Sequence, residues 1–183
     1  MARTRRYRRY YKKGKWSSNI KAIGPNSFNI QPQSTDVVVH TLVVNPPYES
    51  NSSYPVGNNI MRVKNVEVSA ELETPISSGS TNRFIECCTL YLMYVPEGYA
   101  VTKDTPIQHP EWIMAYQFIG SPNTEDEDHS YVNNNVKRIK SRLSRNLNTG
   151  DRIVFVISAF NESTQNTHQL IYSGLVRWWT KAN

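Results

Sequence analysis

Residues 65–73 alternate without a break. Val66, Val68, Ala70 and Leu72 are apolar, while Asn65, Glu67, Ser69, Glu71 and Glu73 are polar or charged. Successive side chains on a strand point to opposite faces, so a period of two gives one dry face and one wet face. A strand of this kind has to bury its dry face against another layer.

Seven further segments read as strands, giving eight in all: roughly 27–31, 36–44, 60–73, 84–95, 114–119, 136–146, 151–160 and 168–179. Asp36 to Val44 and Phe84 to Val95 carry apolar residues on both faces, as covered strands do, and Ile153 to Phe160 is apolar throughout. Prolines and glycines punctuate the chain between them. Trp16 to Asn19 reads as a short polar linker, Gly24-Pro25-Asn26 as a turn into the first strand, and Pro32 as its end. Asn45 to Asn59 reads as a long loop, Pro75 with Ser77 to Ser80 as a turn, and Thr149-Gly150-Asp151 as a tight turn. Pro96 to Pro110 is a long connection, and Pro110-Glu111-Trp112 can open one short helical turn. No long amphipathic helix is present to carry a parallel crossover, so the strands should run antiparallel. Eight strands in two sheets is the jelly-roll number. The expected fold is all-β: a single eight-stranded antiparallel jelly-roll sandwich over residues 21–183, preceded by a disordered basic N-terminal arm and linker over residues 1–20.

The arm sets the charge of the chain. Arg3, Arg5, Arg6, Arg8, Arg9, Lys12, Lys13 and Lys15 are eight cations in fifteen residues with no acid among them. Of the 21 basic residues they leave 13 for the rest of the chain, against 15 acids, so the body is close to neutral and the net +6 belongs to the arm. Like charges repel, and nothing nearby is apolar enough to bury, so the arm should stay disordered until a polyanion meets it. Tyr7, Tyr10 and Tyr11 lie among the charges. Arginine binds phosphate through a planar fork and tyrosine stacks on an unpaired base, a mixture that points to single-stranded nucleic acid. A nuclear-import signal or a solubility tail would use the same residues.

A second basic set follows in Lys137, Arg138, Lys140, Arg142, Arg145 and Arg152. Period-two geometry puts Arg138, Lys140 and Arg142 on one face of a strand, with Ile139, Ser141 and Leu143 on the other. Three readings fit. The cations guard an exposed strand face against aggregation, or they hold a phosphate backbone together with the arm, or they oppose Glu67, Glu71 and Glu73 across a subunit contact.

Catalytic chemistry is hard to place. There is no glycine-rich phosphate loop and no nucleophile elbow, and an enzyme is the weakest reading. His40, His109, His129 and His168 stand far apart, with no second ligand at metal-binding spacing, and His40 reads as a satisfied core or interface residue. Cys87 and Cys88 are adjacent on a strand and read as two buried thiols in a reducing compartment. No metal or other cofactor is expected. The acids of Glu125 to Asp128 read as a solvated loop tip, or as a calcium or subunit contact. Asn51-Ser52-Ser53 and Asn161-Glu162-Ser163 match the glycosylation pattern, but no apolar segment follows the basic N-terminus as a secretory signal would require, so both should stay bare. The longest apolar run, Ile153 to Ile157, is too short to span a bilayer.

The arm Arg3 to Lys15, the strand Met61 to Val68, the segment Tyr116 to Pro122, the run Val136 to Leu143 and the closing stretch Ser173 to Asn183 together resemble the capsid proteins of small circular single-stranded DNA viruses that encode a replication initiator, the circovirus and nanovirus-like group. The closing stretch is the most specific of these. The resemblance implies an icosahedral shell of about sixty copies in closed symmetry, with the arms lining its interior against a single-stranded DNA genome. It also implies passage through the host nucleus on nuclear-import receptors before residence in the virion. Two other classes share these features: an RNA-packaging jelly-roll coat protein of a satellite-type virus, and a cellular nucleic-acid-binding module.

Overall fold

A computed structural model describes residues 16–45, 60–73, 85–120 and 136–182. The arm cations Arg3 to Lys15 with their tyrosines, the sequon at Asn51, the turn at Ser77 to Ser80 and the acidic run Glu125 to Asp128 lie outside the described residues, as does the side chain of Cys87.

Eight strands form two four-stranded sheets: β1 (Ser17–Ile30), β2 (Ser34–Val44), β3 (Met61–Glu73), β4 (Ile85–Val95), β5 (Ile113–Gly120), β6 (Lys137–Leu147), β7 (Arg152–Asn161) and β8 (His168–Ala182). The first sheet has the order β1-β8-β3-β6 and the second β2-β7-β4-β5, with every pairing antiparallel. The pairs β1–β8, β2–β7, β3–β6 and β4–β5 are nested, as in one long hairpin whose tip is β4–β5 and whose base is β1–β8. Rolling that ribbon over itself adds the contacts β3–β8 and β4–β7, and the result is the jelly roll. Between β4 and β5 lie one short helix, α1 (Thr105–Gln108), and a 3-10 turn at Pro110–Trp112, where the proline leads the turn as expected.

The inner faces enclose the main core: Val66, Val68, Ala70 and Leu72 of β3 meet Leu90 and Leu92 of β4, Ile153, Phe155 and Ile157 of β7, and Leu170 and Val176 of β8. Cys88 is buried among them. A second apolar cluster sits on the far face of the second sheet. Met93, Val95, Val154 and Val156 are buried there beneath Trp112, with Val37, Val39 and Val101 at their margin. β4 and β7 are therefore buried on both faces, which is why their sequences do not alternate. β2 is an edge strand, not a covered one; Val37 and Val39 nevertheless contribute to the second cluster.

The structure corrects the sequence reading at the start of the chain. β1 begins at Ser17, so Ser17 to Asn19 are strand and not linker, and Gly24-Pro25 does not turn the chain. The pair is absorbed as a bulge between Ile23 and Asn26, with Gly24 at φ 66°. A left-handed glycine suits such a bulge, and proline is tolerated because β1 lies at the sheet edge, where its missing N–H removes no ladder bond. A second bulge explains why alternation starts at Asn65. Asn65 has φ 51°, and the register of β3 slips there against both β6 and β8, so Val63 and Val66 both point inward.

His40 also departs from expectation. It is half-buried in β2, and its Nε2 has no hydrogen-bond partner among the described residues. Burial, together with the nearby Lys21 ammonium, pushes its pKa down. Asn161 is fully buried, and its side-chain amide donates to the carbonyls of Ile30 and Asn166, so its nitrogen is already committed.

Candidate nucleic-acid interface

The outer face of the first sheet is where exposed cations gather. On β8, Trp178 packs against the core, so its neighbours Arg177 and Trp179 point the other way. On β6, Ile139 and Ser141 are buried, so Arg138, Lys140 and Arg142 point outward, and all three are exposed. Ser141, the polar residue on that inward face, is satisfied by donating to the Met114 carbonyl at 3.0 Å across the sandwich.

Register lines these residues up in rows across the strands. One row is Lys181, Arg62 and Asn146. The next is Ser18, Trp179, Lys64 and Ser144. The third is Ile20, Arg177, Glu67 and Lys140, and the fourth Ala22, Leu175, Ser69 and Arg138. Neighbours within a row are about 4.8 Å apart and successive rows about 7 Å. Arg142 falls in the bulge between the second and third rows. Among the described residues, six cations in four rows and Arg142 in the bulge thus share this end of the face with one acid, Glu67. The acids Glu71 and Glu73 lie beyond, at the far end of β3. The face is polarised, and its basic end is the end at which β1 begins. Trp16, the residue before β1, confirms the placement: its ring lies 3.9 Å from Lys64 Nζ.

Glu67 bridges two of the cations. Its Oε1 is 3.4 Å from Arg138 Nε and its Oε2 is 3.2 Å from Lys140 Nζ. The acid that sequence reading set across a subunit contact is thus a neighbour in the same sheet. The Arg138 and Lys140 side chains are 69% and 47% exposed, so these are surface pairs worth at most ~1 kcal/mol each. Losing either pair would therefore cost the fold little.

The second basic set divides. Arg145 donates from Nη2 to the Glu111 carbonyl at 2.9 Å and lies over the Tyr94 ring, while Arg152 Nη2 donates to the Tyr99 carbonyl. Both hold down the connection between β4 and β5 and do not belong to the outer face of the first sheet. Leu143, expected to anchor β6 inward, is 49% exposed because it falls in the bulge opposite Asn65. Arg62, Lys64, Arg177 and Lys181 were missed from sequence. Each pair shows the spacing of a common face, but only the order β8-β3-β6 reveals that those faces adjoin Arg138 and Lys140. Among the described residues there is no group of three His, Cys, Asp or Glu side chains that could hold a metal, and no helix long and apolar enough to cross a membrane.

No protein-family model matches the sequence, and no curated protein does. Among solved structures, a chain of Desmodium yellow mottle tymovirus aligns over 93% of this chain and 89% of its own, at 9% identity and a TM-score of 0.35. A chain of infectious bursal disease virus, Gx strain, aligns over 90% of this chain at 13% identity and a TM-score of 0.37. VP2 of the infectious bursal disease virus subviral particle aligns over 88%, at 13% identity and a TM-score of 0.36. In these last two the match takes in 32% of the other chain.

Proposed function

We propose that this chain is the coat protein of a small icosahedral virus, that about sixty copies close into its shell, and that it packages single-stranded DNA. The arm cations Arg3 to Lys15 take the genome's phosphates, with Tyr7, Tyr10 and Tyr11 stacking on unpaired bases. Arg138, Lys140 and Arg142 extend that contact onto the body of the protein. The observation that carries this reading is the coincidence of root and face: β1 begins at the basic end of the first sheet, so the arm that precedes it in sequence is rooted beside the patch. A phosphate backbone that leaves the arm meets four rows of cations. The same arm serves nuclear-import receptors before assembly in the host nucleus.

Deleting residues 1–15 tests the proposal. The arm's sequence is dominated by cations and offers little apolar surface to bury, so the truncated protein should still melt cooperatively and assemble. Its particles, seen by electron microscopy, should lose most of the nucleic-acid absorbance that full-length particles show. Deoxyribonuclease, and not ribonuclease, should degrade the nucleic acid released from full-length particles. An unfolded truncation product, undiminished nucleic acid, or a full-length chain that elutes as a monomer would each overturn the reading.

A further inference from the structure

We propose that Trp179 and Trp16 form a stacking subsite for an unpaired base of single-stranded nucleic acid, at the point where the arm joins the first sheet. The subsite rests on the nucleic-acid reading above and gives it a location. Trp178 and Trp179 are adjacent but have opposite fates. Trp178 packs on the core, whereas Trp179 stands on the outer face, in register between Ser18 and Lys64. Ser18 is too small to cover an indole. On the other side is Lys64, whose Nζ sits 3.9 Å from the Trp16 ring, and both indoles are half-buried. Neither Trp16 nor Trp179 belongs to an apolar cluster of the fold.

The surroundings suit one ligand chemistry. Lys181 and Arg62 occupy the row on one side of Trp179, and Arg177 and Lys140 the row on the other. A nucleotide presents a flat π-face and a phosphate. The face stacks on the indole whatever the base, Lys64 adds a cation–π contact, and phosphates on either side meet the flanking rows. In a duplex the base faces are already stacked on one another, so the subsite selects for single strands. It reads no 2′-hydroxyl, so DNA and RNA strands should both enter it.

The test uses the full chain as dissociated subunits and three probes: a twenty-nucleotide oligo(dT), an oligo(rU) of the same length, and a blunt duplex of mixed sequence. Trp112 is buried while Trp16, Trp178 and Trp179 are half-buried, so the share of the quenching of tryptophan emission that Trp179→Phe removes reports on Trp179. Both single strands should quench, and the duplex should not. Trp179→Ala should weaken oligo(dT) binding ~5- to 150-fold, the range of one stacked base, and leave the salt dependence unchanged, because every phosphate keeps its cation. Trp179→Phe should keep most of the affinity, and quenching of the unaltered protein answers the question even if the alanine variant folds poorly. Equal quenching by the duplex, or Trp179→Ala binding as tightly as the parent, removes the stacking subsite and leaves the packaging proposal standing. Failure of the parent chain to bind any of the three probes removes both.

Discussion

The two outer faces of the sandwich have opposite solutions to the same problem. Each sheet buries one side in the shared core and must then deal with the other. The second sheet covers its far side. Residues 96–112 fold over Met93, Val95, Val154 and Val156, and Trp112 closes the cluster at 8% exposure. The Trp112 ring is stacked on His109 at 3.9 Å and met edge-on by Tyr99 at 5.1 Å. Polar ties fix the cover at its root. The buried Asp151 carboxylate accepts from the Tyr94 hydroxyl at 2.8 Å and from the backbone N–H groups of Glu97 and Asn148. Burial, and then that hydrogen bond, pushes the Tyr94 pKa up to about 12. Arg145 and Arg152 bind the carbonyls of Glu111 and Tyr99. Among the described residues the first sheet has no such cover on its outer side, and one end of that side is lined with cations. Stability should therefore reside in the covered face and binding in the open one, even though cations of one short stretch, 138–152, serve both.

The largest effect separating the faces should come from Trp112→Ala. Removing a buried indole typically costs about 3–5 kcal/mol, since the transfer term and the cavity term add. Urea unfolding should show a lower midpoint. Oligonucleotide binding by the protein that remains folded should keep its salt slope. A variant that melts like the parent would show that the cover is not structural, and the contrast between the faces would collapse.

A smaller effect is expected from changing Arg138, Lys140 and Arg142 together to glutamine. Their ion pairs are exposed, so the melting midpoint should hardly move. The slope of log affinity for single-stranded DNA against log salt should fall by up to ~2, at ~0.7 for each phosphate that no longer meets a cation. Shells should still form. Loss of assembly with an unchanged slope would instead make this face a contact between subunits.

The legibility of the two faces from sequence differs for a physical reason. Local patterns are local physics. The alternation of β3, the all-apolar run of β7 and the proline leading the 3-10 turn each report on their own few residues, and the eight strands followed from them to within a few residues, except at β1. There Gly24-Pro25 carries the same local signal whether it reverses the chain or bulges an edge strand, and only pairing with β8 separates the two. The outer basic face was half legible. Arg138, Lys140 and Arg142 share one strand, so their period sufficed. Arg62, Lys64, Arg177 and Lys181 join them only through strand order, which is a nonlocal property. Arg145 and Arg152 were misplaced for the converse reason: close in sequence to the patch, Arg145 pairs with the inward-facing Val63 near the end of β6, and Arg152 opens β7 in the other sheet.

The finest cut concerns Glu67, the one acid within the four basic rows. If the face exists to hold phosphate, this carboxylate competes with the ligand for Arg138 and Lys140, 3.4 Å and 3.2 Å away. Glu67→Gln keeps the shape and the hydrogen-bonding reach of the side chain and removes the charge. Each exposed pair it breaks is worth at most ~1 kcal/mol, so stability should fall by little and affinity for single-stranded DNA at low salt should rise by no more than ~5-fold. The salt slope should steepen by less than the ~0.7 of one full contact, because both cations already reach solvent and are only partly neutralised. If the carboxylate instead serves to hold β3 to β6, the signs reverse in a measurable way. The melting midpoint would drop, and binding would stay the same or weaken as the two cations lose their common anchor.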